Sequence, residues 1–90
     1  LLADIQRTER AIKKCMPGVM PKPVFDVVVS FSFNVGTAAA CQSTLAFFIN
    51  KQQWQQACDQ LPRWVFVNGD RNRGLERRRN AERALCLKGV

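Results

Sequence analysis

The chain has 90 residues, 47% of them hydrophobic, with a formal net charge of +7 and four cysteines but no histidine. That length allows one domain with a core burying only about 60–65% of the unfolded surface, and no apolar run approaches the roughly 18–20 residues of a membrane span. The charge points to an anionic partner such as nucleic acid, acidic lipid or a bacterial wall polymer, and the missing histidine removes the usual catalytic triads.

From Leu1 to Cys15 the spacing predicts an amphipathic helix. Leu1, Ile5, Ile12 and Cys15 share a face that Thr8 and Ala11 complete, and charged residues largely hold the other. The chain opens at Leu1, not Met, inside this pattern, as expected of a fragment or a processed chain. Pro17, Gly18 and Pro21 then force a loop.

Residues 23–36 (PVFDVVVSFSFNVG) are the most apolar stretch. A segment apolar on every side is normally buried on every side, so this is the central element. Its type is open on pattern alone. Val29, Phe31 and Phe33 alternate with Ser30 and Ser32, as in a strand. A helix is favoured by Pro23 as its first residue, Asp26 in the first turn, Gly36 as a stop, and the length.

Thr37–Gln42 reads as a short helical turn. Ser43 is a good N-cap for a helix over Thr44–Asn50. Gln52–Leu61 reads as another helix, with Trp54, Ala57, Cys58 and Leu61 on one face. Pro62 starts a further turn, and Asn68-Gly69 is a turn signal. Asp70–Gly74 is expected to be a polar loop, Leu75–Leu87 the last helix, and Gly89 its stop. WVFV (64–67) is too short to decide, and no other segment makes a convincing strand. The pattern is all-α, with five or six helices on short connections.

Candidate chemistry is sparse. A hydrolytic acid needs a carboxyl in an apolar pocket. Asp4, Glu9, Asp59, Asp70, Glu76 and Glu82 mostly lie among basic residues, and Asp26, in apolar company, reads first as helix-start stabilisation. Nothing assembles a self-contained active site. Cys15, Cys41, Cys58 and Cys86 include no C-x-x-C pair, so a metal site is weakly supported; two disulfides or four buried thiols are the alternatives. No cofactor or metal is expected. Six arginines (Arg71, Arg73, Arg77, Arg78, Arg79, Arg83) crowd the last helix and its approach. They read as a solvated face with Arg78–Glu82 and Arg79–Glu82 pairs, as an anion-binding surface, or as a face with one arginine turned inward. Trp54 and Trp64 read as core before sugar platforms.

Five segments in order, FNVG (33–36), STL (43–45), ACDQLPRW (57–64), NG (68–69) and GLERRRNAE (74–82), resemble the phage-type lysozymes of glycoside hydrolase family 24, above all lambdoid-phage and prophage endolysins. The resemblance covers nearly the whole chain. It implies a muramidase that cleaves the β-1,4 bond between N-acetylmuramic acid and N-acetylglucosamine of peptidoglycan. It also implies that residues 1–90 are a single helical domain, the C-terminal lobe, with 23–35 as its buried central helix. The family's catalytic glutamate lies in an E-G motif and its partners around a G-x-x-H-T hairpin. Neither motif occurs here, so the catalytic lobe is expected to be missing and the chain alone to be inactive.

By the same resemblance, Phe33 and Asn34 border the sugar cleft, Gln60 is a further substrate-binding residue, and Arg78 faces the missing acid and orients it. The cysteines are then expected to pair as Cys58–Cys86, on helices that must pack together, and Cys15–Cys41, flanking the central helix. The expected location is the bacterial periplasm or cell wall. The partner is the peptidoglycan glycan strand, with no nucleic acid and no membrane span, and the exposed cleft face could drive self-association. The alternative is a non-catalytic basic module that binds wall polymer or nucleic acid; ERRRNAER resembles an arginine-rich RNA-binding helix but has no aromatic residue for base stacking.

Overall fold

A computed structural model describes residues 2–90, with side chains from residue 3 onward. Leu1, placed above on the apolar face of the first helix, lies outside the described residues. The architecture is helical: α1 (Leu2–Cys15), α2 (Lys22–Val35), α3 (Thr37–Cys41), α4 (Thr44–Asn50), α5 (Trp54–Cys58), a 3-10 turn (Leu61–Arg63), a two-strand ribbon β1 (Phe66–Val67) and β2 (Asp70–Arg71), and α6 (Arg73–Leu87).

Residues 22–35 are a helix, not a strand. The alternation of Val29, Phe31 and Phe33 with serines loses to the continuous apolar run, which offers α1, α3 and α6 something to pack on from three sides. Val24, Val27, Val28 and Phe31 are buried at its heart, with Ile12, Met16, Leu45, Ala57 and Leu61 around them. Burying side chains of this size contributes about 1.5–3 kcal/mol each. The helix begins one residue earlier than expected, with Pro23 in its second position. Asp26 therefore sits beyond the first turn, exposed, and accepts from Lys22 Nζ at 3.0 Å. Nor is α2 covered on every side: Asp26, Phe33 and Asn34 are exposed. Gly36 ends it at φ +100°, in the left-handed region, donating its N–H to the Ser32 carbonyl.

Two further expectations are corrected. The segment after Trp64 is a hairpin. Asn68 and Gly69 both have positive φ (52° and 86°), the form whose twist suits a two-residue hairpin turn. It pairs Phe66 with Arg71 and Val67 with Asp70. Asp70–Gly74 is thus a strand and the start of α6, because Asn72 caps that helix two residues earlier than expected, its Oδ1 accepting from Leu75 N at 2.9 Å. The Gln52–Leu61 helix is likewise shorter: Gln52 is left-handed (φ 60°), α5 spans Trp54–Cys58, and Leu61–Arg63 tightens into a 3-10 turn around Pro62.

Two disulfides join element ends, Cys15 to Cys41 and Cys58 to Cys86, and no described cysteine is free. The first ties the end of α1 to the end of α3, and the second ties α5 to α6. Asn50 adds a lighter tie, its Nδ2 donating to the Cys15 carbonyl at 3.0 Å.

Candidate functional site

The end of α2, the 3-10 turn, the hairpin and the start of α6 enclose a groove of about 590 Å³. Asn34, Trp64, Phe66, Val67 and Asn72 are on its wall, with Arg79 beneath. Each is held by local structure. The Trp64 N–H donates to the Leu61 carbonyl at 3.0 Å, and its ring meets Phe31 edge-on with centroids 5.2 Å apart. Asn72 N–H donates to the Val65 carbonyl at 2.7 Å, closing the hairpin base. Phe66 and Val67 are exposed, and the Arg71 guanidinium lies over the Phe66 ring at 5.8 Å.

Beneath the groove is a buried charge cluster. Arg79 has 0% exposure. Its Nε donates to the Trp64 carbonyl at 3.0 Å, Nη1 to Glu82 Oε1 and Nη2 to Asn34 Oδ1. Its guanidinium also lies over the Phe31 ring at 5.0 Å. Glu82, the one buried carboxylate among the described residues, is engaged through both oxygens: Oε2 accepts from Ser30 Oγ at 3.1 Å and Arg78 Nε at 3.4 Å. Partners this complete allow a charge to stay inside.

The residues singled out from the sequence do not form one site. Asn34 faces the groove, but Phe33 is a helical step away and lines a smaller hollow of about 240 Å³ with Ile5, Asp26, Val29, Ser30 and Arg78. Arg78 is half-exposed there, its Nη2 donating to Ser30 Oγ at 3.3 Å. Gln60 is half-buried ahead of the 3-10 turn and is not on the wall of either hollow among the described residues. The Arg78–Glu82 and Arg79–Glu82 pairs both form, yet the second is buried and so not part of a solvated face. Trp54 packs partly buried against the core, while Trp64 serves both core and groove.

Asn72, Phe66 and Val67 are not site candidates in the sequence reading, where Arg79 enters only in the arginine cluster and as a partner of Glu82. Asn72 is a residue type that caps helices, but its polar neighbours Arg71 and Arg73 obscure where the helical run begins. Arg79, Glu82 and Cys86 stand at i, i+3, i+7, an inward stripe that two charged members disguise. Chemically the groove offers apolar surface, carboxamides and arginine. Among the described residues no carboxylate lines it. Its wall therefore presents apolar and carboxamide surface without an acid among the described residues.

Comparison with known proteins gives this arrangement a context. The sequence profile of the phage lysozyme family matches residues 1–82. A SAR-endolysin of Enterobacteria phage PA-2 is 36% identical over 86 residues, covering 96% of this chain and 52% of that protein. An endolysin of Bacillus phage B103 is 34% identical over 86 residues, covering 96% of this chain and 33% of its own. The crystal structure of the secreted inactive form of P1 phage endolysin Lyz superposes with a TM-score of 0.85 at 31% identity, over 98% of this chain and 64% of that one. The active form gives 0.84. The chain spans about half the length of the SAR-endolysin it matches.

Proposed function

This chain belongs to the phage lysozyme family, and from that premise we propose that its ninety residues form the helical wall of a peptidoglycan cleft in an endolysin. The reaction is hydrolysis of the β-1,4 bond between N-acetylmuramic acid and N-acetylglucosamine. The observation that carries the reading is the groove between α2, the hairpin and α6. Its apolar Trp64, Phe66 and Val67 suit the faces of a sugar ring, and the Asn34 and Asn72 amides suit its polar rim.

Glycoside hydrolysis needs a carboxylic acid at the leaving oxygen and a second group on the other face of the sugar. Glu82 is tied up by two arginines and a serine, so these ninety residues supply binding surface and the acid comes from residues outside them. Arg78 receives that acid. It stands half-exposed beside Ser30 and Phe33, where a carboxylate from another segment can pair with its guanidinium and be held in place. Phe33 extends the apolar floor on that side, and Asn34 binds the glycan directly. Gln60, half-buried ahead of the 3-10 turn and off the groove wall, contacts the glycan only where the strand runs beyond the groove. The ninety residues fold as a single helical domain. The site of action is the periplasm or cell wall, where two disulfides persist. Among the described residues no helix is long and apolar enough to cross a membrane.

The test is a pair of assays on purified peptidoglycan. The chain alone is expected to release no reducing ends. A fusion carrying the preceding segment of the P1 phage endolysin ahead of residue 1 is expected to hydrolyse the same substrate. A folded fusion that stays inactive sinks the reading, and so does hydrolysis by the ninety residues alone.

A further inference from the structure

We propose that Arg79 is a positioning residue that locks the Asn34 carboxamide with its Nδ2 turned outward, so that position 34 meets the glycan as a hydrogen-bond donor. The ligand atom it selects is an acceptor, the acetamido carbonyl of an N-acetylated sugar. This deepens the reading of the groove as a glycan site and rests on it.

Donor and acceptor chemistry decides which way the amide faces. A guanidinium carries five N–H groups and no acceptor. Arg79 Nη2 lies within hydrogen-bond reach of the Asn34 amide, so Asn34 must present Oδ1 to it. Turning the amide over would set donor against donor. The orientation is thereby decided from below, by a side chain that cannot move aside. Arg79 is fully buried and held at three other places, by the Trp64 carbonyl, the Glu82 carboxylate and the Phe31 ring. Glu82 is itself fixed by Ser30 and Arg78. The line of contacts leaves α2 at Ser30, crosses α6 and returns to α2 at Asn34.

Asn34 is exposed on the groove wall, one residue before the end of α2. Arg79 occupies one lone pair of Oδ1 and makes no contact with Nδ2, so the donor side of the amide is left free for a ligand. A donor set in advance loses less freedom on binding than a free rotor does.

The experiment is titration of the ninety-residue chain with N-acetylchitotetraose, followed by ¹⁵N-NMR including the side-chain amides. In Asn34→Asp the carboxylate still accepts from Arg79, so the melting temperature is expected to hold or rise. The outward donor is gone, so affinity is expected to fall roughly tenfold, as in Asn34→Ala. Arg79→Met is expected to weaken binding in the parent but to add nothing in the Asn34→Ala background. If Arg79→Met does not fold, Asn34→Asp alone decides. Sugar bound by Asn34→Asp as tightly as by the parent overturns the proposal and leaves the glycan reading standing. A parent chain that binds no tetrasaccharide overturns both.

Discussion

Arg79 occupies a place in the α2–α6 interface where an aliphatic side chain is the ordinary choice. A buried guanidinium is tolerated because each side of it meets a partner. Removing it strands Glu82 with its remaining weaker contacts. Arg79→Ala is therefore expected to cost about 3–5 kcal/mol, read as a fall in thermal midpoint on the order of 20 °C for a domain of this size. Arg79→Met with Glu82→Leu leaves no buried charge behind, so the double variant is expected to recover most of that loss. A double variant no more stable than Arg79→Ala would show that the cluster stabilises through geometry beyond its charge balance. The Arg83–Asp59 pair is the contrast. Its atoms approach to 2.8 Å, but both side chains are about 40% exposed, and water already screens them. Asp59→Asn is expected to change stability by less than about 1 kcal/mol.

Among the described residues, two helices begin on a side-chain cap. Ser43 Oγ accepts from Ala46 N at 3.2 Å at the start of α4, and Asn72 does the same for α6. Ser43→Ala and Asn72→Ala are each expected to lower unfolding free energy by about 1 kcal/mol in urea titrations. Asn72→Ala alone is expected to weaken glycan binding as well, since Asn72 also lines the groove. These caps show what a sequence can and cannot reveal. Ser43 was legible because a clean apolar helix follows it. Gly36 was legible because it ends an apolar run and the chain must turn there. Asn72 was hidden by the polar residues on both sides of it, and the hairpin by strands of two residues, too short to show an alternation. Asn68-Gly69 carried the hairpin signal, but it was readable only as a turn without strands to join. Periodicity places Arg77, Arg78 and Arg79 on successive steps of one helix. It cannot say which of them points inward, because that depends on Asn34 and Trp64, far away in the chain.

At the scale of the molecule, a core of this size is marginal by itself. The disulfides supply what the core lacks. Each closes a loop of 26 or 28 residues, for which the chain-entropy estimate is about 3.5 kcal/mol. Together they are comparable to the whole net stability of a small domain. Reduction with dithiothreitol is expected to bring the urea midpoint close to zero, and Cys58→Ser with Cys86→Ser to remove about half the stability. An undiminished midpoint in the reduced chain would place the stability in the core instead. The two bridges also close separate hoops, residues 15–41 and 58–86, which share nothing. The cord from Gln42 to Ala57 is the single covalent link between them. A protease cut inside either hoop leaves the melted, oxidised polypeptide in one piece, whereas one nick after exposed Lys51 parts it into two on a non-reducing gel. Where a cut falls, more than how many are made, decides whether the molecule comes apart.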